Sequence, residues 1–443
     1  MKKIALIFFA ILLIMACTKD EPKPITAANA SQTDYSISPP KYNDTLERQY
    51  KSFNQCVYNL MKTYYYWNDK VPKIDYNLGK YQADPNLLLD DLKYTTFDKY
   101  SFIADKYTSD QLFEEGKETG KGFNLAFFDD VTIMINFVYP GSPADVAGLY
   151  RGMIVKKVNG SDLVSAANNG TAGDLLSATT NTLQVIDSNA ILKNISVTDA
   201  SFALKTVSLK KIIDQDGVKI GYLVFNSFLG PSENELNDAF AYFNQNNVTE
   251  LVLDLRYNGG GYIYIANQLA AQIAGDKAKG NVFMNIIYNN DLKQYNEPYF
   301  FTTVTSSLNI SRVCILATRN SASSSELVIN CLKPYMDVKQ FGGITYGKPV
   351  GFSGFGYGDK EIYAVQFSST NANNEGEYFT GIVPNQYSTD QFKYQLGDVR
   401  EDMLADALYY IKNGSYNTST VRLQASTSKY FELKGLKSIS GTY

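Results

Sequence analysis

The 443-residue chain has no histidine, only one tryptophan and four cysteines. The missing histidine excludes a Ser-His-Asp triad, a Cys-His dyad, His-ligated zinc and any imidazole proton shuttle. If the protein is an enzyme, its general base must therefore be a lysine, a carboxylate, a tyrosine or a metal-bound water. Hydrophobic residues make up 44% of the chain and charged residues 19%, a composition that is globular rather than disordered or fibrous. This length predicts about two to three domains.

The scarcity of cysteine has its own consequence. Beyond Cys17 only Cys56, Cys314 and Cys331 remain, and three cysteines cannot form a full disulfide framework. We therefore predict that they are buried as small apolar residues. No run after the first 16 residues is apolar enough to cross a membrane, so the body is expected to be soluble.

The N-terminus has the pattern of an export signal. Lys2 and Lys3 precede an apolar run, Ile4 to Met15, that is too short to span a bilayer. The run ends in Leu-Ile-Met-Ala before Cys17 and resembles the lipobox of bacterial lipoproteins. The alternative is a simple secretory signal with an incidental cysteine. We predict a signal peptide over 1–16, a lipid anchor on Cys17 and a flexible tether over 17–40.

These features predict a lipoprotein of the cell envelope, on the periplasmic or surface face of the outer membrane. Removal of Lys2 and Lys3 with the signal changes the formal charge from −4 to −6. An acidic protein of this kind is not expected to bind nucleic acid.

After the tether, the sequence divides into two shorter regions, 41–114 and 115–205, and a longer one that begins at residue 206. Residues 41–114 carry helical patterns at Tyr50–Met61 and at Asp84–Leu92, and the second begins with the helix-start pair Asp-Pro. Residues 115–205 are β-rich, with strands predicted at 131–138 and 154–158. Within that zone, residues 161–200 are rich in serine, asparagine and threonine and predict a long insertion or loop.

From residue 206 to 415, strand and helix patterns alternate, and residues 416–443 form a C-terminal extension. This alternation predicts an α/β core with a largely parallel sheet. The predicted strands are 219–225, 250–255, 312–316, 338–341 and 361–367, and the predicted helices are 233–244, 263–273, 325–332 and 402–411.

Two predicted junctions between a strand and a helix carry unusual residues, and such junctions are where α/β proteins place their sites. The predicted strand that ends at Leu255 is soon followed by Gly259-Gly260-Gly261, where the backbone can approach another group closely. This glycine turn is either a flexible connection or part of a site. A nucleotide site is not favoured, because neither a GK[ST] nor a G-x-G-x-x-G pattern is present.

The second junction is a run of four serines within Ser321–Glu326. Ser323 and Glu326 have the spacing of a capping box, which requires no catalysis. A serine at this point also lies where helix-terminal N–H groups can hold an oxyanion. The segment alone favours the helix cap.

A serine nucleophile here would need lysine as its base. Lysine must be neutral to accept a proton, and at a reference pKa of ~10.4 about one molecule in 2,500 is neutral at pH 7. Burial can lower the pKa by roughly three units. Lys348 is the single charge in the apolar and glycine-rich segment 341–352, which is also compatible with a plain hairpin.

Three ordered motifs resemble the S41 family of C-terminal processing (tail-specific) serine proteases. They are Asp-Leu-Arg-x-Asn-x-Gly-Gly at 254–261, Ser-Ala-Ser-Ser-Ser-Glu at 321–326 and Thr-x-Gly-Lys at 345–348. The 25-residue spacing from Ser323 to Lys348 also agrees. The segment 141–154 is similar to the PDZ domain of these proteases, and Asp98–Phe102 to the end of their N-terminal helical region.

The resemblance implies a crotonase/ClpP-like α/β protease core with an inserted PDZ-like β-rich domain and an N-terminal helical domain. It implies a serine endopeptidase that acts on extracytoplasmic proteins or peptides and needs no metal or other cofactor. The residues it implicates are the nucleophile Ser323, the base Lys348 and the orienting acid Glu326; the oxyanion-hole residues Gly260, Gly261 and Ser324; and the peptide-binding segment Gly122, Phe123, Asn124 and Leu125.

The chain departs from the family pattern in several places. Ser324 replaces the usual alanine, and Phe352 stands where some members have a glutamine that orients the lysine. A protease-derived scaffold that binds peptides or a partner without cleaving them therefore remains an alternative. A glycan-binding lipoprotein, suggested by the 34 tyrosines, is a weaker one.

Overall fold

A computed structural model describes residues 49–418 and 436–437. The predicted signal peptide 1–16, the lipidation site Cys17, the tether 17–40 and most of the extension 416–443 lie outside the described residues. Among the described residues, no helix has both the length and the apolar character needed to cross a membrane.

The N-terminal region is mainly helical, as the sequence predicts. Ser52 caps the first helix by accepting the N–H of Gln55, and Asp84 caps the helix that begins at Pro85. These helices share their apolar core with residues 350–365 of the α/β core. The elements are α1 Phe53–Thr63, a 3₁₀ turn Asn68–Lys70, α2 Gly79–Ala83, α3 Pro85–Leu92, β1 Phe102–Asp105 and α4 Lys106–Phe113.

A β-rich module follows. Strands β3, β4, β5, β7 and β8 form its sheet, β6 pairs with β5, and β2 pairs with β9. The elements are β2 Lys117–Gly120, β3 Phe123–Asp129, β4 Thr132–Val138, α5 Pro143–Val146, β5 Ile154–Val158, β6 Ser161–Asp162, α6 Leu163–Asn168, α7 Ala172–Leu176, β7 Thr180–Ile186, β8 Leu192–Thr198 and β9 Ala200–Ala203.

The prediction of a long loop over 161–200 is wrong. The segment contains α6, α7 and the antiparallel pair β7–β8, and β7 continues the sheet beside β5. In β7, Thr180 and Thr182 are exposed, and Thr182 bonds to Ser196, whereas Leu183 and Val185 are buried. In β7, buried and exposed residues alternate, as expected for a strand with one buried face. The serine- and threonine-rich composition of the segment led instead to the prediction of a loop.

The α/β core begins with a six-stranded sheet in the order β10-β11-β12-β15-β16-β21. All neighbours from β11 to β21 are parallel, and only β10 is antiparallel. Helices α8, α9 and α10 pack on one face of the sheet and α11 on the other. The elements are β10 Val207–Gln215, β11 Val218–Phe225, α8 Ser232–Gln245, β12 Glu250–Asp254, α9 Ile263–Ala274, β13 Val282–Tyr288, β14 Glu297–Phe300, β15 Arg312–Ala317, α10 Ser324–Leu332, β16 Asp337–Gly342, β17 Val350–Gly351, β18 Gly354–Tyr357, β19 Lys360–Tyr363, β20 Phe367–Thr370, β21 Gln386–Tyr387 and α11 Asp402–Asn413, with 3₁₀ turns at Gly275–Lys277 and Lys293–Tyr295.

The predicted parallel core is therefore confirmed, with one correction. The single strand expected at 361–367 is two strands, β19 and β20, which belong to different sheets. β19 pairs with β1 of the N-terminal region, whereas β20 pairs with β13 and β17.

A buried ion cluster joins the β-rich module to the core. Arg256 is fully buried and bonds to Asp254, Asp390 and Glu401. Arg151 enters this cluster from the module and contacts Asp390 at 2.7 Å. Burial acts to raise the pKa of Asp390, but the two facing guanidinium groups hold it below its ordinary value. The cluster lies just before the glycine turn and fixes the start of that segment.

Candidate active site

The two unusual junctions come together at the carboxyl edge of the parallel sheet. Strands β12 and β15 are parallel neighbours, so the segments that follow them are adjacent. Ala322 N–H donates to Asn258 O at 3.1 Å. A Cβ atom on Gly260 would lie 2.8 Å from Ser323 Cβ, so only glycine permits this close approach.

The hydroxyl groups of the second junction have different partners, and this difference singles out Ser323. Four of them each donate to a backbone carbonyl of the first junction, whereas within the described residues the Ser323 hydroxyl donates to no acceptor. The four bonds are Thr318 Oγ1 to Arg256 O (2.5 Å), Ser321 Oγ to Leu255 O (2.8 Å), Ser324 Oγ to Gly261 O (2.7 Å) and Ser325 Oγ to Asn258 O (2.9 Å).

Ser323 also has an unusual backbone conformation. Its φ is +55°, a region that costs a non-glycine residue free energy and that occurs often at functional sites. It lies where a strand turns sharply into a helix, as the nucleophilic serine of hydrolases often does. The predicted capping box with Glu326 is present as well, so the capping and nucleophile roles are compatible.

Glu326 is fully buried and holds the two candidate catalytic residues by their backbones. Its Oε2 accepts the N–H of Ser323 at 3.0 Å and that of Lys348 at 2.8 Å. Its Oε1 accepts from the Thr345 hydroxyl at 2.5 Å and from Gly347 N–H at 2.6 Å. Burial raises the pKa of Glu326, while these four hydrogen bonds favour the carboxylate. The contacts fit a group that orients Ser323 and Lys348.

Lys348 shares a cavity of about 20 Å³ with Ser323. Burial lowers the pKa of Lys348 to about 8, although the negative charges of Asp98 and Glu326 act in the opposite direction. No ion pair or side-chain hydrogen bond is made by Lys348 Nζ within the part of the chain that is described. Nζ lies 3.9 Å from the centre of the Phe352 ring, which occupies the position of the absent glutamine. The other lining residues are Ile263, Met284, Ser324, Leu327, Val350, Gly351, Phe367, Ser369 and Tyr378.

The predicted oxyanion-hole residues lie beside Ser323 but are not equivalent. Gly260 N–H already donates to Asn258 Oδ1 at 2.9 Å. Gly261 N–H and Ser324 N–H have no acceptor among residues 49–418 and 436–437. Gly261 has φ +131°, and a Cβ atom there would lie 2.2 Å from Phe228 O. The structure therefore favours Gly261 over Gly260 as the donor from this turn.

The predicted peptide-binding segment lies in the β-rich module, apart from Ser323 and Lys348. Gly122, Phe123, Asn124 and Leu125 are all buried, at the start of the edge strand β3. Ser142 packs closely against Gly122, whose carbonyl accepts the Ser142 hydroxyl at 3.0 Å. The side chains of this segment are therefore enclosed in the module.

Three neighbours of Lys348 were not identified from the sequence. The Tyr100 hydroxyl donates to the carbonyl of Gly347, immediately before Lys348. Asp98, which is 3% exposed, anchors this segment by accepting from the Tyr65 hydroxyl at 2.8 Å. Tyr378 lines the cavity. The resemblance at Asp98–Phe102 was a usable signal for the first two, whereas the sequence around Tyr378 gave none.

A substitution of Glu326 tests its orienting role. Glu326→Gln replaces one acceptor with a donor that faces N–H groups, and an unsatisfied buried group of this kind costs about 1–3 kcal/mol. We expect kcat/KM for peptide cleavage to fall about 10- to 100-fold. Because the Glu326 charge raises the pKa of Lys348, its removal should move the midpoint of the pH–rate profile to lower pH.

Glu401→Gln is the matched control for this prediction. Glu401 is also fully buried, but it bonds to Arg256 rather than to the Ser323 and Lys348 backbones. This variant should lose thermal stability without a change in the midpoint. An unchanged midpoint in Glu326→Gln would contradict the orienting role.

The parallel sheet places Ser323 and the low-pKa Lys348 beside one cavity beyond its strand ends, an arrangement that is compatible with a serine hydrolase. Residues 219–388 match the sequence model for peptidase family S41, and residues 52–102 match that for the peptidase S41 N-terminal domain. These two segments of the chain are therefore similar to the two corresponding parts of S41 peptidases. In the residues described, no group of three or more cysteine, aspartate or glutamate side chains could hold a metal ion.

Individual proteins show the same similarity. The chain is 27% identical over 300 residues to a probable CtpA-like serine protease of Staphylococcus aureus N315, an alignment that covers 66% of this chain and 55% of that protein. It is 23% identical over 252 residues to a carboxyl-terminal-processing protease of Picosynechococcus, covering 55% and 58%. The chain thus spans little more than half the length of these curated relatives.

A solved structure extends the similarity to most of the chain. It is a putative S41 protease from Bacteroides fragilis NCTC 9343, with a TM-score of 0.67 and 25% sequence identity. The match covers 81% of this chain and 97% of that one.

Proposed function

We propose that the protein is a serine endopeptidase that cleaves extracytoplasmic proteins or peptides with a Ser323–Lys348 dyad. One observation carries the proposal: Ser323 and Lys348 line the same cavity, and Glu326 accepts a hydrogen bond from the backbone of each. The Ser323 hydroxyl is available, and the pKa of Lys348 is about 8. These are the properties that a nucleophile and its base need at neutral pH.

In the first half-reaction, neutral Lys348 Nζ takes the proton of Ser323 Oγ as Oγ attacks the scissile carbonyl carbon. The carbonyl oxygen becomes negatively charged and is held by the N–H groups of Ser324 and Gly261, at about 3–4 kcal/mol for one good donor. Protonated Lys348 then gives its proton to the leaving amide nitrogen, and an acyl ester on Ser323 remains. Water, deprotonated by Lys348, releases the acid product and restores the serine.

Lys348 can act as a base at neutral pH because a substantial fraction of it is neutral. With a pKa of about 8, roughly a tenth of the molecules carry neutral Lys348 at pH 7, compared with about one in 2,500 for an ordinary lysine. Burial in the cavity keeps the pKa of Lys348 low, because bulk water cannot solvate the ammonium form there.

The direct test is to incubate the purified protein with a denatured protein and to identify the products by mass spectrometry. We expect cleavage by the wild type and none by Ser323→Ala. A wild type that binds peptides but never cleaves them would instead support the alternative of a non-catalytic scaffold. A scaffold has no need of a low-pKa lysine beside an available serine, and for this reason we favour the peptidase.

We further propose that the β-rich module is a PDZ-like domain that recognises substrate C-termini, and that Cys17 anchors the protein to the envelope. β3 is an edge strand of the module's sheet, and it begins within the Gly122–Leu125 segment. Strand addition at such an edge is a common mode of peptide recognition.

A peptide with a free C-terminal carboxylate should therefore have a lower KM than the same peptide with a C-terminal amide. A charge-assisted hydrogen bond contributes about 1.5–3 kcal/mol, so we expect a KM difference of about tenfold or more. Equal KM values for the acid and the amide would contradict recognition of the carboxylate.

A further inference from the structure

The side chain of Ser324 makes a hydrogen bond that a backbone N–H donor at this position would not require. Ser324 is the first residue of α10, is 1% exposed, and donates its hydroxyl to Gly261 O at 2.7 Å. The related proteases usually have alanine here, so a backbone N–H donor needs no hydroxyl at this position. The bond joins the two residues whose N–H groups form the proposed oxyanion hole.

These two donors lie on separate junctions of the sheet. Ser324 follows β15, whereas Gly261 follows β12 and adjoins Phe228, whose N–H donates to Gly260 O at 2.9 Å. An oxyanion hole works only if its donors stay within about 0.5 Å of the productive geometry. The spacing between Ser324 and Gly261 must therefore be fixed by contacts across the two junctions.

The other hydroxyl contacts between the junctions end earlier in the first segment. Thr318, Ser321 and Ser325 bond to the carbonyls of residues 256, 255 and 258, respectively. Among these hydroxyl groups, Ser324 Oγ bonds to the glycine turn after residue 258. Its acceptor is the carbonyl of Gly261, whose N–H is one of the two proposed oxyanion donors.

We propose that Ser324 Oγ is a positioning group that sets the distance between the two oxyanion donors. This inference rests on the proposed peptidase function and deepens it. The hydroxyl touches no reacting atom and acts through Gly261. Its loss should weaken binding of the negatively charged tetrahedral state, whereas binding of the uncharged substrate should be unaffected.

Ser324→Ala tests this inference and is expected to fold, since alanine is usual in the related proteases. We expect kcat to fall about three- to thirtyfold while KM changes less than about twofold. The affinity for a peptide boronate, which forms a tetrahedral adduct on the serine, should fall by the same factor as kcat. Ser324→Cys, with a weak S–H donor, should give an intermediate loss.

Ser325→Ala is the matched control because it removes another buried hydroxyl from the same helix turn, 2.9 Å from a carbonyl that belongs to neither donor. It should lower thermal stability by a similar amount but reduce kcat and boronate affinity less. Equal losses in the two variants, unchanged kcat in Ser324→Ala, or a rise in KM alone would overturn the inference. An inactive wild type would overturn the proposed function itself, which separates the two failures.

Discussion

Replacing Ser323 with alanine is expected to lower kcat/KM for peptide cleavage by about 10⁴-fold or more, because removal of a serine nucleophile leaves only oxyanion stabilisation and binding. The variant should fold normally. The Ser323 hydroxyl is donated to no acceptor within the described residues, and alanine is no more strained than serine at φ +55°. The measurement is steady-state cleavage of a fluorogenic peptide, with circular dichroism as a check of the fold.

Ser369→Ala is the control for the Ser323 variant. Ser369 lines the same cavity, and its hydroxyl contacts Pro349 O at 3.4 Å. It should keep most of the activity. Substantial cleavage by Ser323→Ala, in a preparation free of other proteases, would refute the assignment of the nucleophile.

Replacing Lys348 with methionine, which is of similar length but uncharged, is expected to lower kcat/KM by about 10³-fold or more. Lys348→Arg should be equally inactive, because arginine has a pKa above about 12 and is always protonated in proteins. Both results follow if the base must be neutral when Ser323 is deprotonated.

The wild-type pH profile tests the same point without a mutation. The active form is the neutral lysine, so kcat/KM should rise about tenfold per pH unit below the pKa of Lys348 and level off above it. The midpoint should lie near pH 8. A midpoint above pH 10, or a profile flat from pH 6 to 9, would exclude Lys348 as the base.

Lys333→Met is the control for the Lys348 variants. Burial lowers the pKa of Lys333 too, but this residue follows α10 at the end away from Ser323. Its substitution should leave the profile unchanged. A midpoint that moved in Lys333→Met would mean that a different lysine controls the profile.

The core could be predicted well from the sequence because its strands are buried on both faces. In β11, residues 220–225 are all buried and carry no charged side chain, and the glycine and serine turns mark the ends of β12 and β15. The β-rich module was predicted less well. Its outer strands β7 and β8 expose one face, so serine and threonine dominate the composition and hide a regular strand pair.

The residues of the candidate site could be predicted from sequence motifs, but the contacts between them could not. The spacing of Ser323, Glu326 and Lys348 predicted a dyad with an orienting acid, but only the fold reveals that Glu326 bonds to the backbones of Ser323 and Lys348. Tyr100 lies 248 residues before Lys348 and reaches its neighbour through the pairing of β1 with β19. No local pattern encodes a contact over that separation. The hydrogen bond from Gly260 N–H to Asn258 Oδ1 likewise depends on side-chain geometry.

The ion cluster at Asp390 limits how this architecture can be divided. Arg151 belongs to the β-rich module, yet it neutralises a carboxylate of the core in a position that excludes solvent. In a core without the module, Asp390 would lose Arg151 and keep only Arg256 as a positively charged partner. In a module without the core, the Arg151 guanidinium would lose the carboxylate that it contacts. Uncompensated buried charge costs about 3–5 kcal/mol. The β-rich module is therefore an integral part of the folded protein rather than an independently exchangeable unit, and recombination between homologues should preserve Arg151 and Asp390 as a pair.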